Sequence, residues 1–184
     1  KKRPGVHAKT RTSKSKNIGN YKNDLERGDW EWYYPNGEIE YTGSYQKGKQ
    51  VGEWKNYYEN GELQYVGDYK NNNKTGVWKY FHENGQLSST GNYKNEHLNG
   101  KWKWYHENGK IETTGEYVHD LETGIWTWYY SNGKKEKSGY YDNGKTNGEW
   151  IWYFDNGKPE IIGTYNNDME VGKWTWYNKD GSVD

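Results

Sequence analysis

From about residue 19 onward, bulky aromatic and polar positions alternate in short bursts, as in Asp29-Trp30-Glu31-Trp32-Tyr33 and Lys101-Trp102-Lys103-Trp104-Tyr105. A period of two over such short runs is the mark of β-strands with two distinct faces. The bursts recur at a fixed interval. Gly-x-Trp appears at Gly28/Trp30, Gly52/Trp54, Gly76/Trp78, Gly100/Trp102, Gly124/Trp126, Gly148/Trp150 and Gly172/Trp174, 24 residues apart each time. An aromatic follows three residues after each Trp, from Tyr33 to Tyr177, and Asn-Gly three residues after that, from Asn36-Gly37 to Asn156-Gly157. The last copy has Asp180-Gly181 instead. A second motif, Gly-x-Tyr, closes each unit from Gly43/Tyr45 to Gly163/Tyr165, and Gly19/Tyr21 matches this closing half.

Each unit therefore reads as a β-hairpin, because Trp and Tyr favour a pleated surface and Asn-Gly supplies the positive φ of a tight turn. That turn is either a two-residue type I′ loop or a type I turn followed by a G1 bulge. In the bulged form the Tyr33 row falls opposite Ile39, Leu63, Leu87, Ile111, Lys135 and Pro159. Between units lie polar six-residue stretches, such as Gln46–Val51 and Lys70–Thr75, expected as turns on the opposite edge. The predicted fold is all-β: an elongated, single-layer antiparallel meander of about 14 strands built from tandem 24-residue hairpins. Alternation places Trp30 with Trp32 on one face and Tyr33 on the other, a pattern repeated through Trp174, Trp176 and Tyr177. Asn56 and Tyr80 replace the second Trp in repeats two and three. The Trp rows are expected to pack against one another and against long stems such as Lys55, Lys79 and Lys103.

Composition changes the picture of the core. Twelve Trp and 20 Tyr stand beside few aliphatic residues, so buried area must come from aromatic rings, their polar groups turned to water or to a backbone partner. Cys is absent, which excludes disulfides and thiolate metal sites. No 18-residue apolar stretch exists to form a membrane-spanning helix, and the expected compartment is cytoplasmic.

The zero net charge conceals an asymmetry. Residues 1–18 carry Lys1, Lys2, Arg3, Lys9, Arg11, Lys14 and Lys16 with no Asp or Glu. The remainder holds 19 Lys and Arg against 26 Asp and Glu, an acidic body behind a basic tail. The expected organisation is an extended basic tail at 1–18 and a hairpin array at 19–184.

The unit Gly-x-Trp-x-x-Tyr-x-x-Asn-Gly-x5-Gly-x-Tyr, seen from Gly100 through Tyr117, resembles the MORN-repeat variant of bacterial proteins often labelled YwqK-like antitoxins. The resemblance covers residues 19–184. It implies a single-layer β-meander used as a scaffold or docking surface and brings no catalytic residues with it. The tail resembles the basic extensions of ribosomal proteins.

Catalysis has no visible home. Glu38, Glu62, Glu112 and Glu136 occupy repeat-defined exposed positions, so no acid–base pair is singled out. The glycines sit in hairpins rather than before a helix, unlike a phosphate loop. The histidines His7, His82, His97, His106 and His119 have no metal-ligand spacing and read as solvated side chains near turns; no metal or other cofactor is expected. The expected function is a non-enzymatic interaction scaffold. Its basic tail would bind RNA, with the ribosome as the expected assembly, through Lys1, Lys2, Arg3, Lys9, Arg11, Lys14 and Lys16. Its sheet would bind protein or ligand through Trp104, Trp128, Trp152 and Trp176. The alternatives are an antitoxin or immunity protein that masks a protein toxin, and an extracellular glycan binder.

Overall fold

The computed structural model describes residues 16–184. Its strands are β1 Lys16–Lys22, β2 Leu25–Tyr33, β3 Ile39–Gln46, β4 Lys49–Tyr57, β5 Leu63–Lys70, β6 Asn73–Phe81 and β7 Leu87–Lys94, followed by β8 His97–Tyr105, β9 Ile111–Val118, β10 Leu121–Tyr129, β11 Lys135–Asp142, β12 Lys145–Tyr153, β13 Pro159–Asn166 and β14 Met169–Trp176. They succeed one another as one 14-stranded antiparallel meander, the all-β hairpin sheet expected from the repeat. Two compact units divide it. The first runs to Leu87 and takes in Tyr93–Glu96; the second comprises Ser88–Asn92 and His97–Asp184. Because β1 opens at Lys16, the residues Lys16, Asn17 and Ile18 of the basic segment are strand residues, paired with Tyr33, Trp32 and Glu31.

The Asn-Gly connections are the bulged kind. Gly37 N–H donates to the Tyr34 carbonyl at 3.0 Å, Tyr34 N–H donates to the Glu38 carbonyl at 2.8 Å, and Gly37 takes a φ of 95°. Trp32 then faces Tyr41 while Tyr33 faces Ile39, so Glu40 is the extra residue. The same offset pairs Tyr57 with Leu63, Tyr105 with Ile111, Tyr129 with Lys135 and Tyr153 with Pro159. On the opposite edge the expectation of six-residue turns fails. The strands run on until only two residues remain, such as Asn71-Asn72 or His119-Asp120, both at positive φ, which matches the strand twist of a type I′ turn.

Asn has a second task at the bulged turn. In Asn108 the side-chain oxygen accepts the Lys110 N–H at 3.0 Å, while Nδ2 donates to the Ser131 carbonyl 23 residues on, at 2.9 Å. Asn36, Asn60 and Asn156 reach Glu59, Glu83 and Lys179 in the same way. The Tyr34, Tyr58 and Tyr130 hydroxyls donate to the carbonyls of Tyr57, Phe81 and Tyr153 at 2.6–2.8 Å. Each turn is thereby tied to the next by side chains as well as by the sheet. Asp180 keeps only the accepting half of the pattern, toward Ser182 N–H at 2.8 Å.

Packing comes from one device repeated. The buried apolar residues are Trp30, Trp54, Trp78, Trp102, Trp126 and Trp150, between 0% and 4% exposed. Each indole lies on a glycine of the preceding strand. A Cβ built on Gly43 would stand 2.1 Å from Trp54 Cδ2, and one on Gly115 would stand 2.1 Å from Trp126. The closing Gly-x-Tyr glycine is thus a seat for the next repeat's ring, and only a residue without a side chain fits beneath it.

The Gly of Gly-x-Trp has a different reason. Thr42 pairs with Lys55 and Ser44 with Val51, which leaves Gly43 opposite the three residues Gly52, Glu53 and Trp54. Gly52, at φ 66°, is the crank that turns the bulged strand so that Trp54 falls over Gly43. Tyr edges hold the ring from both sides: Tyr45 and Tyr69 meet Trp54 at 5.1 and 5.9 Å, at 88° and 80°. At ~25 cal/mol per Å², an indole withdrawing roughly 150–250 Å² from water contributes about 4–6 kcal/mol before chain entropy is counted.

Two expectations about this face are corrected. Lys55 lies between Trp54 and Asn56, so it points to the opposite face, where it pairs with Glu53 at 2.8 Å. By the same alternation Lys79 and Lys103 leave the Trp face, and the rings pack on glycine and Tyr instead. Nor do the N–H groups of the seated indoles turn to water, and the backbone partner expected for them is met in part. Trp102 donates to the Asn92 carbonyl at 3.3 Å, while those of Trp30, Trp54, Trp126, Trp150 and Trp174 are buried with no acceptor among the described residues.

The two glycine roles separate by mutation. Gly115→Ala drives a methyl into an indole and is expected to cost about 2–3 kcal/mol. Gly124→Ala meets open space and bears only its left-handed φ of 69°, about 1 kcal/mol. Urea midpoints of the two variants check this, and equal losses would contradict it.

Candidate functional site

Outside the seated indoles, a second row of side chains crosses the Trp face. In the first unit the register aligns Trp32, Tyr41, Asn56, Tyr65 and Tyr80. Aromatic rings close this row: Trp32 stacks on Tyr41 at 4.1 Å and 15°, and Tyr65 meets Tyr80 at 5.9 Å.

In the second unit the row is Trp104, Thr113, Trp128, Lys137, Trp152, Ile161 and Trp176. The four Trp residues expected as a binding surface are therefore brought together, two strands or about 10 Å apart. Their separators are not aromatic, so no ring stacks between them. Trp104, Trp128 and Trp152 are half-buried and Trp176 is 52% exposed. Seated and outer indoles alternate in a zigzag, Trp104–Trp126 at 5.6 Å, Trp126–Trp128 and Trp128–Trp150 at 5.8 Å, Trp150–Trp152 at 5.9 Å and Trp152–Trp174 at 5.7 Å, tilted by 31–36°. The result is a continuous indole surface along the sheet.

Between Trp104 and Trp128 a cleft of about 230 Å³ opens, lined by these two rings, Trp126, Thr113 and Glu112. The Thr113 floor is 8% exposed. Glu112 is the extra residue of its hairpin bulge, and Glu136 and Glu160 hold the same place in the next two repeats. One repeat on, Lys137 fills the position of Thr113 and sets its ammonium 4.5 Å from the Trp128 ring centre. A larger depression in the first unit, about 620 Å³, is lined by Lys22, Glu26, Arg27, Tyr45 and Lys47 among others and carries mixed charge without stacked rings.

Sequence reasoning passed over Glu112, Thr113 and Lys137. A signal existed, since Tyr41, Tyr65, Ser89, Thr113, Lys137 and Ile161 occupy one repeat position and change from aromatic to small, charged and aliphatic along the chain, while the closing Tyr row never changes.

Of the basic residues, Lys16 sits at the head of β1 with its ammonium 5.9 Å from the Tyr33 ring centre. Lys1, Lys2, Arg3, Lys9, Arg11 and Lys14 lie outside the described residues. The histidines near the turns have partners: a ring nitrogen of His106 bonds the Tyr129 carbonyl at 2.8 Å, and the exposed His97 pairs with Asp120, whose carboxyl is held below the usual range by that contact and by Leu98 N–H. Among the described residues no group of three or more His, Asp or Glu side chains converges as a metal site. Among the described residues no helix is long and apolar enough to cross a membrane.

A family model described as MORN repeat variant matches six times in tandem, at residues 26–47, 50–71, 74–95, 98–119, 122–143 and 146–167. The chain belongs to this MORN repeat family. Each match is one complete hairpin of the sheet, from β2–β3 to β12–β13, flanked by the closing half β1 and the opening half β14. A search of curated proteins returns no match. MORN repeats are in general non-enzymatic scaffolds, and the repeat fits protein interaction.

The electrostatics of the Trp face in the first unit have a testable consequence. Burial pushes the Tyr69 phenol up from an ordinary 10.0 to about 12 and moves Tyr80 further in the same direction. The unfolded chain releases these protons near 10 and the folded chain does not. Their stabilisation is therefore complete below about pH 10 and is lost as pH rises through the folded value. Burial lowers the Lys74 ammonium from its ordinary 10.5, against the pull of Glu96, so that group acts in the opposite sense. With the tyrosines dominant, the urea midpoint is expected to fall between about pH 9.5 and about pH 11.5 while part of the phenolate absorbance appears only on unfolding. A flat midpoint with all phenols titrating together would contradict it.

Proposed function

We propose that this MORN-repeat chain is a non-enzymatic scaffold that engages a protein partner through the Trp face of its second unit. The observation that supports this reading most is the zigzag of indoles from Trp104 to Trp176, seated on glycine yet open along its outer row. Rigid aromatic surface of this kind supplies contact area at little entropic cost and is enriched where proteins bind one another. The basic segment favours a second contact. Its seven cations without a carboxylate fit a nucleic-acid backbone, so the reading includes anchoring to RNA, with the ribosome as the expected assembly. If the captured partner is a toxin, the scaffold serves as an antitoxin; a glycan on the same face would make it a carbohydrate receptor.

One capture experiment from native extract tests both contacts. The intact chain, a Trp128→Asn/Trp152→Asn variant and a chain lacking residues 1–15 are compared with and without RNase. Asn stands at the equivalent position of repeat two, so the double variant keeps a residue the fold already carries. The double variant is expected to lose a specific protein at least about tenfold, a loss of 1.4 kcal/mol or more. The shortened chain is expected to lose RNA and RNase-sensitive material only. Retention of every partner by the double variant would defeat the protein reading, and equal RNA recovery without the basic segment would defeat the other.

A further inference from the structure

The aromatic surface of this protein already accepts cations from its own chain. In the first unit the Lys74 ammonium stands 4.3 Å from the Trp78 ring centre, 5.0 Å from Tyr93 and 5.7 Å from Tyr80, and donates to the Tyr80 hydroxyl at 3.1 Å. In the second unit Lys137 lies between Trp128 and Trp152, with its ammonium over Trp128. Indole faces attract cations through their quadrupole, most strongly when the cation is partly desolvated.

One repeat earlier the same position is Thr113, whose side chain is too short to cover the rings. What remains is the cleft walled by Trp104, Trp126 and Trp128, with the exposed Glu112 carboxylate among its lining residues. An apolar occupant would strip water from Glu112 and return no counter-charge, which is unfavourable. A cationic occupant satisfies carboxylate and ring faces together, as Lys137 satisfies Trp128.

We infer that the Thr113 cleft is a receptor for the ammonium or guanidinium group of a lysine or arginine side chain on a protein partner. This deepens the reading of the Trp face as a protein-binding surface and rests on it. The occupant enters with its charged end between Trp104 and Trp128 and pairs with Glu112. The neighbouring position is already filled by Lys137 and admits no second cation.

Titration of the full chain with blocked Gly-Lys-Gly and Gly-Arg-Gly peptides tests this, read from the indole N–H resonances in a proton–nitrogen correlation spectrum. Saturable shifts confined to Trp104, Trp126 and Trp128 are expected, with none from Gly-Leu-Gly or Gly-Glu-Gly. Thr113→Lys copies the arrangement at Lys137 and should abolish the shifts while the rest of the spectrum reports an intact fold. Glu112→Gln should weaken binding about threefold to tenfold. Absence of saturable shifts, equal response to the leucine peptide, persistence in Thr113→Lys, or unchanged affinity in Glu112→Gln would each overturn the assignment. Such a failure leaves the outcome of partner capture by the Trp128→Asn/Trp152→Asn variant untouched, so the two readings fail separately.

Discussion

The structure depends on an indole lying flat on a glycine of the strand before it. A sheet one layer thick has no second layer to bury its apolar face, and this chain has few aliphatic side chains with which to build one. The Trp–Gly seat solves both problems within the sheet. The ring covers backbone that would otherwise face water, and the missing Cβ lets it come down to contact. Since Trp and seat belong to successive repeats, as with Gly115 and Trp126, the packing unit straddles the repeat boundary. Stability is then shared between neighbours, as a one-dimensional array requires. The crank at Gly52 and its equivalents, the Tyr edges and the Asn-to-carbonyl bonds all serve to bring that ring over that glycine.

Once the seats have absorbed the inner Trp of each repeat, the outer Trp is left over for other purposes. In the first unit Tyr41 and Tyr65 close the gaps and finish the surface as packing. In the second unit Thr113 and Ile161 put no ring between the outer indoles, and Lys137 lays its ammonium over Trp128. The scaffold and the proposed binding surface are therefore made of the same residue type, separated by whether the cross-strand neighbour is aromatic. On the proposed reading, that division places the interaction on the second unit of a MORN-repeat scaffold.

Much of this architecture was legible in one sequence because the repeat multiplies every local signal. Strand positions and the Trp30/Trp32 face follow from alternation, and the register of Tyr33 against Ile39 is that of the bulged form, one of the two turns that Asn-Gly allows. Alternation also contained the answer for Lys55, which lies one residue from Trp54 and so cannot pack on its face. The seat escaped notice because Gly in a strand is ordinarily read through its backbone freedom, whereas Gly43 and Gly115 are needed for what lies on top of them. The type I′ turns were overestimated in length because polar composition masks strand continuation; Lys74 and Thr75 look like loop and pair as strand. For the candidate site, Trp104, Trp128, Trp152 and Trp176 were legible from spacing, but the cleft needed the cross-strand register that puts Thr113 between two rings. Charge counting found the basic segment and could not reach its geometry.

A double-mutant cycle between a seat and its ring tests the central claim most directly. Gly163 and Trp174 are the best pair, since a Cβ at Gly163 would stand 2.2 Å from Trp174 and that ring is only half-buried, so its removal perturbs the array least. Urea denaturation would be measured for Gly163→Ala, Trp174→Ala and the double variant. The seat predicts strong non-additivity, with Gly163→Ala nearly neutral once the ring is gone and a coupling of about 2 kcal/mol. Additive losses would show that the glycine serves its own backbone and not the ring, and would contradict the account.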